Sequence, residues 1–378
     1  MYNHHHTLNS TISTIIFILF ITVFPGCKEN KNTAERIITF RKANAINLSE
    51  SHFFSNKTII SLETEEYSLI HDYSYVQEDG ENLFIFSTNR ASPILRFDID
   101  GNFMNKIGSI GNGPNEFAKI FDVFINREKS IVEVLDGYRI IYFSYDGTPI
   151  KSEMINVGGN GTWAAAFTYV KDYYWFYTGN NIAISKYRLV QSDKNFNIVT
   201  RYLSDKSKML PFEEYNFHQC SYHTFRETFY NNLYYIKEDS LYLAYTIDFG
   251  GIGIPAEVHK IPPLTVMEYL RNRHYAVINC YLENDNYIYM LIMENDANSD
   301  TFFYHWIIDK NNNYQEKIIK ISNPELIRNS YLNSPQLLTD DNLLYFLGYP
   351  IENENDNDNI DYDLNPSIVI INLSENFP

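Results

Sequence analysis

The chain has 378 residues with 30 basic against 47 acidic side chains, a net charge of −17, and aromatics make up 16% of it, led by 31 Tyr and 26 Phe. Such a field repels phosphate backbones, and no basic stripe runs through the sequence, which excludes nucleic acid as a partner and leaves cations, neutral sugars and basic peptides. Tyr and Phe at this density suit pleated strands packed face to face, and no capped amphipathic helix longer than about twelve residues stands out.

The chain opens on an apolar stretch, Ile12 to Phe24, too short to span a bilayer comfortably, which ends at Phe24-Pro25-Gly26-Cys27. A small residue directly before a cysteine resembles the lipobox of bacterial lipoproteins. The resemblance implies a signal peptide over 1–27, acylation of Cys27 and attachment to the membrane through that lipid alone; a plain cleaved signal and a retained anchor are the alternatives. His4, His5 and His6 precede the cleavage point. Residues 28–34 read as a polar tether and 35–378 as one domain.

Short apolar or alternating runs cut by Asp, Asn and Gly then follow, the pattern of antiparallel strands. Arg36 to Phe40 is a strand without a neighbour, and Ser49 to Glu66 is a connector carrying one more, Thr58 to Leu62. The first unit has strands at Tyr73–Gln77, Leu83–Ser87, Ile94–Phe97 and Phe103–Ile107. A second unit has Phe121–Ile125, Ile131–Leu135, Ile140–Ser144 and Ile150–Val157; a third has Ala165–Val170, Tyr173–Tyr177, Ser185–Gln191 and Asn197–Leu203. The fourth reads Thr224–Tyr230, Leu233–Lys237, Leu241–Ile247 and Glu257–Ile261, and the fifth Tyr275–Leu282, Tyr287–Met293, Thr301–Asp309 and Tyr314–Ile321. The sixth has only Pro335–Thr339, Leu343–Gly348 and Ser367–Asn372.

Outer turns fall near Asp100, Asp146, Asp193, Asp248 and Asp309, at spacings of 46, 47, 55 and 61 residues. That period with four strands per unit predicts an all-β fold, a six-bladed β-propeller of four-stranded antiparallel blades. The ring is expected to close by an N-terminal strand pairing in the last blade, with Arg36 to Phe40 supplying the missing outer strand and Ile37-Ile38 meeting Ile368 to Ile371. Closure removes the exposed edges of an open array.

Three segments carry a family resemblance: Ser61-Leu62-Glu63-Thr64 with Ser68-Leu69-Ile70, then Ile94-Leu95-Arg96-Phe97-Asp98-Ile99-Asp100-Gly101, then Ile107-Gly108 to Gly111-Asn112-Gly113-Pro114-Asn115-Glu116-Phe117. Together they resemble the six-bladed β-propeller lipoproteins of Gram-negative bacteria, which are related to NHL-repeat propellers. The resemblance implies the fold and little about activity, since one propeller scaffold hosts hydrolases, lyases and inert adaptors; the chain is expected in the cell envelope, lipid-anchored in the outer membrane on either its periplasmic or its surface side.

No nucleophile elbow, zincin helix or nucleotide fingerprint is present, so no cofactor, metal or catalytic residue is assigned. Gly108 to Gly113 lacks the Gly-Lys-Ser/Thr of a phosphate loop and reads as a crossing stopped by Pro114. His218, Cys220 and His223 are metal-capable but sit in an aromatic connector where packing is the simpler role. Glu352 to Asp363 carries six acidic residues without the central Gly and final Glu of a calcium loop, and reads as solvated. Cys220 and Cys280 read as thiols, with a disulfide as the alternative.

Function is expected at the mouth of the central channel, on the face carrying the loops between blades and between second and third strands. The candidate ligand-binding residues there are Arg90, Asn115, Glu116, Tyr138, Arg139, Trp163, His218, His223, Arg271 and His274, which stack on sugars or clamp carboxylates if they converge, and otherwise only pack the rim. The first reading is a non-catalytic binder of glycan or peptide. The others are a lyase or hydrolase working at the channel mouth, and a scaffold docking an outer-membrane transporter.

Overall fold

Hydrogen-bonded hairpins organise the chain from Arg36 onward. The computed structural model describes residues 36–71, 74–158, 162–179, 185–204, 216–220, 222–271, 273–296, 298, 300–321, 335–348 and 364–376. Cys27, the signal segment, the tether at 28–34 and the acidic stretch 352–363 lie outside the described residues.

In chain order, β1 (Ile37–Thr39), β2 (Ile46–Leu48), α1 (Glu50–Phe53) and β3 (Lys57–Ser61) precede the regular repeats. Blade one is β4 (Ser74–Glu78), β5 (Asn82–Ser87), β6 (Ile94–Asp98) and β7 (Phe103–Ile107). Blade two is β8 (Asp122–Asn126), β9 (Ile131–Leu135), β10 (Arg139–Ser144) and β11 (Pro149–Met154). Blade three is β12 (Ala166–Val170), β13 (Tyr173–Tyr177), β14 (Tyr187–Asp193) and β15 (Ile198–Ser204). Blade four holds β16 (Phe217–Gln219), β17 (His223–Arg226), β18 (Asn232–Lys237) and β19 (Ser240–Asp248), followed by α2 (Pro263–Leu270). Blade five is β20 (Tyr275–Glu283), β21 (Tyr287–Asn295), β22 (Thr301–Asp309) and β23 (Gln315–Ile321). Blade six has β24 (Pro335–Leu338), β25 (Leu343–Gly348) and β26 (Ser367–Asn372), and α3 (Leu373–Asn376) follows. Six antiparallel sheets of four strands result, two of them extended by a parallel strand.

Burial follows radial position. Every residue of the second strand β5 is buried, whereas the outer strand β11 is exposed or half-buried along its whole length. A second strand is covered by a neighbouring blade on each face, so its run is continuously apolar; an outer strand meets water and carries Lys, Ser and Glu instead. Six buried apolar layers separate the six blades, from Phe84, Phe117 and Val134 between blades one and two round to Val76, Tyr345 and Ile368 between six and one. A smaller cluster of Phe229, Val258, Val266 and Leu270 sits beneath α2.

The outer turns of blades one and three share one device. Asp98 accepts the N–H groups of Asp100 and Asn102 at 3.0 and 2.8 Å, and Asp193 accepts those of Asn195 and Asn197 at 2.8 Å each. In both turns the Asn side chain also donates to the Asp, and that bond leads in holding each carboxyl below its usual range. Gly101 completes the first turn at φ +91, with Ser61 O only 2.2 Å from where a Cβ would stand.

The ring closes with an N-terminal strand, but not the expected one. β3 pairs antiparallel with β26, Ile60 opposite Ile368 and Ile59 opposite Val369, as the outer strand of blade six. Ile37 and Ile38 instead pair in parallel with Thr246 and Ile247 on the edge of blade four. The reason is connectivity. A closing strand must feed the first inner strand through a crossing like the others, and β3 does so, whereas Arg36–Phe40 would leave residues 41–73 as a structureless connector. Asn365 fastens the junction from inside, donating to Glu63 O and Ser68 O at 2.8 and 2.9 Å and accepting from Ile70 N at 2.8 Å.

Blade four also corrects the sequence expectation. Its inner strand is β16, and Glu257–Ile261 is no strand: Ala256–Lys260 forms a 3₁₀ turn between Pro255 and the Pro262-Pro263 pair. Proline cannot donate to a ladder, so a strand there is blocked. β1 occupies the edge left outside β19, and β2 adds in parallel outside β23, Ile46 opposite Ile319.

The N-terminal segment is thus a strap across blades four, five and six. Lys42 reaches buried Glu294 at 2.6 Å, and Arg41 reaches Glu316 at 3.3 Å. Phe53 plugs the layer between blades five and six, its ring 4.9 Å from Phe54 and 4.4 Å from His305. Phe53→Ala is expected to cost about 3–5 kcal/mol in urea unfolding, the range for a fully buried Phe. Ile37→Ala, at a side chain 60% exposed, should stay within about 0.5 kcal/mol.

Candidate functional site

Inner strands of all six blades face a common hub, and their first hairpin turns lie on one side of the ring, here the lower side. Among the described residues, the crossings between blades and the second-to-third-strand loops lie on the upper side. A cavity of about 350 Å³ occupies the hub and is lined by inner strands and lower turns, among them Glu78, Asp122, Arg127, His218, Glu283 and Asp341.

Asp122 opens β8 and is 5% exposed. Its Oδ1 accepts from Val123 N at 2.8 Å and its Oδ2 from Phe167 N of the next blade at 2.9 Å. Burial dominates these two bonds and pushes the carboxyl up to about 7. Glu78, at the end of β4, pairs with Arg127 at 2.8 Å and receives the N–H of Gly80. Glu283, at the end of β20, takes Lys310 at 3.0 Å, Tyr245 OH at 3.1 Å and the hydroxyl of Tyr281. Each of these acids stands at an end of an inner strand, and that placement puts them all at the hub.

His218 lies on β16 inside the cavity; burial, with Arg226 nearby, drives its imidazole far below its ordinary value, so it stays neutral. His223 sits across the β16–β17 hairpin, opposite Gln219, and burial brings it down to about 4.

The other candidates gather elsewhere. Arg139 is bound inward: it donates to Gly113 O, Pro114 O and Glu116 O at 3.2, 3.1 and 2.7 Å and pairs with Asp136 at 2.7 Å, clamping the first crossing. Glu116 accepts from Gly113 N at 2.9 Å, while Asn115 is exposed. Trp163 packs edge-on against Phe121 at 5.6 Å. Arg90, Tyr138 and Arg271 are exposed on the upper side. His274 bonds Glu294 at 2.5 Å beside Lys42 and Tyr304. Burial opposes the charge of Glu294, and these donors together outweigh it and hold the carboxyl below its usual range.

Of the ten candidates, only His218 lines the cavity; Asp122, Glu78, Glu283 and Arg127 line it and had not been singled out. Their signal was a charged residue at the head or tail of an apolar run, as in Phe121-Asp122-Val123-Phe124 and Cys280-Tyr281-Leu282-Glu283. Cys220 and Cys280 are thiols and not a disulfide: Cys220 donates to Glu283 O, Cys280 points to Pro335 O at 3.7 Å, and burial pushes Cys280 up to about 12. No group of three or more metal-capable side chains converges among the described residues. Nor is any described helix long and apolar enough to cross a membrane.

The raised carboxyl makes a signed prediction. With a folded value near 7 against an unfolded value near 4, Asp122 stabilises most when protonated and loses that contribution as pH rises between the two. Relative to wild type, Asp122→Asn should therefore gain about 1.4 kcal/mol per unit of pH through that window, flattening above it, as read by urea midpoints from pH 4 to 8.

Among solved structures, the chain is similar to a protein described as exported from Bacteroides fragilis, at 16% identity and TM-score 0.69, over 88% of this chain and 98% of that one. A member of the duf4221 family from Bacteroides vulgatus matches at 11% identity and TM-score 0.48, over 83% and 97%. At 16% identity the likeness to the B. fragilis protein bears on fold alone. No curated protein matches the chain. A family model described as a domain of unknown function (DUF4934) matches residues 35–372, and the chain belongs to that family.

Proposed function

We propose that this protein is an extracytoplasmic propeller that binds a ligand or partner, glycan or peptide, without transforming it. The observation that carries the reading is the hub cavity. Its volume of about 350 Å³ falls within the range of small-ligand sites, and inner strands of all six blades contribute to its wall. Two of its buried carboxylates serve structural partners, Glu78 with Arg127 and Glu283 with Lys310 and two tyrosines, an arrangement suited to a fixed polar wall. Apolar residues 12–24 before Gly26-Cys27 support export and a lipid on Cys27, in the outer membrane by the family resemblance, and the B. fragilis protein described as exported is consistent with it. Exposed Arg90, Tyr138 and Arg271 on the upper side offer rim contacts for a larger partner, an outer-membrane transporter among them.

A second reading, a lyase or hydrolase, draws on Asp122, whose carboxyl near 7 is suited to proton transfer at neutral pH with His218 in the same cavity. A glycan and peptide binding screen on residues 28–378 separates the two. Saturable binding with the ligand recovered unchanged is the expected result; product formation supports the enzyme instead.

A further inference from the structure

The charge of the hub wall narrows the ligand class. Asp122 is buried among apolar neighbours, with two backbone N–H donors and, among the described residues, no cation within ion-pair reach. A carboxylate accepts up to about four hydrogen bonds, so half of its capacity is open, and a buried charge without a counter-charge is costly. Among the described lining residues none supplies such a counter-charge: Arg127 is held by Glu78, Glu283 is taken by Lys310 from outside the wall, and Asp340 and Asp341 on the β24–β25 turn add negative charge. His218, on β16 in the same wall, is neutral. Phe167, Phe217 and Leu338 complete the wall with apolar surface.

We infer that the hub cavity receives an organic cation, an alkylammonium such as the end of a lysine side chain, whose charge pairs with the Asp122 carboxylate while its methylene stem lies on the apolar wall. The inference rests on the binding reading above and deepens it. An ammonium on a flexible apolar stem matches both halves of the wall, and in a low-dielectric hub the pair is screened little by salt. Binding draws Asp122 into its ionised form, so below about pH 7 uptake of the cation releases a proton.

Calorimetric titration of residues 28–378 with n-butylamine and with trilysine, and with 1-butanol and N-acetylglucosamine as uncharged probes, tests this at pH 6, 7 and 8. Both cations are expected to saturate, weakening about fivefold from pH 7 to pH 6 with proton release visible in buffers of different ionisation heat, and tightening only about twofold from 7 to 8. Asp122→Asn should lose at least about tenfold in affinity together with the pH dependence; if that variant fails to fold, the pH dependence and proton release of the unaltered protein decide alone. Saturation by butylamine but not trilysine assigns a free amine, and saturation by both admits a peptide side chain; either supports the inference. Failure of both cations, equal binding of butanol, or binding of trilysine alone with no response to Asp122→Asn overturns it. Saturation by N-acetylglucosamine without the cations overturns the cation assignment and leaves the binding reading standing.

Discussion

The ladder between β3 and β26 joins the two ends of the chain, and the packing of all six blades depends on it. Each blade is apolar on both faces, so an open junction exposes two faces at once: Val76, Leu83 and Phe97 on blade one, Tyr345, Leu347 and Ile368 on blade six. The entropic cost of closing so long a loop rises only by about 0.6 kcal/mol per doubling of length. Burial of several large side chains at about 1.5–3 kcal/mol each outweighs it. The same logic explains the strap. β1 and β2 cover the edges of blades four and five, and Phe40 and Phe53 pack between blades, so the chain's first described segment serves as outer wall to half the ring.

A closed ring fixes the hub. Inner strands set side by side bring their ends within reach of one another, so residues far apart in sequence, such as Glu78, Asp122 and Glu283, share one cavity wall. The two acids at strand ends are neutralised locally, by Arg127 and Lys310. Asp122 is not, and a fold that holds a carboxyl near 7 forgoes stability at that position. Such a cost in a hub of otherwise satisfied groups is the physical ground for reading the cavity as a binding site.

Much of this was legible in the sequence. Blades one, two and three could be read almost strand by strand because their turns carry Asp with Asn or Gly at fixed offsets, and the strands between them are uniformly apolar. The closing strand was harder, since Arg36-Ile37-Ile38-Thr39-Phe40 and Lys57-Thr58-Ile59-Ile60-Ser61 look equally strand-like; loop length, not composition, chooses between them. Blade four misled because β16 has only three residues and because Glu257–Ile261 is apolar enough for a strand while its flanking prolines forbid one. For the site, histidines and arginines on loops drew notice by residue type, yet Arg139 and His274 are engaged by neighbouring groups of the fold. The cavity acids lie at strand ends, where one charge beside a strand run reads as an edge residue until the ring places it at the hub.

Closure by β3 is tested most directly by paired cysteines. Directly opposed antiparallel residues stand about 4.5–5.5 Å apart at Cα, within the range a disulfide spans. Ile60 and Ile368 are such a pair, so the double variant Ile60→Cys, Ile368→Cys should form a cross-link on mild oxidation, seen as a joined peptide by mass spectrometry, while Ile38→Cys with Ile368→Cys should not. A cross-link between 38 and 368, with none between 60 and 368, would contradict the account.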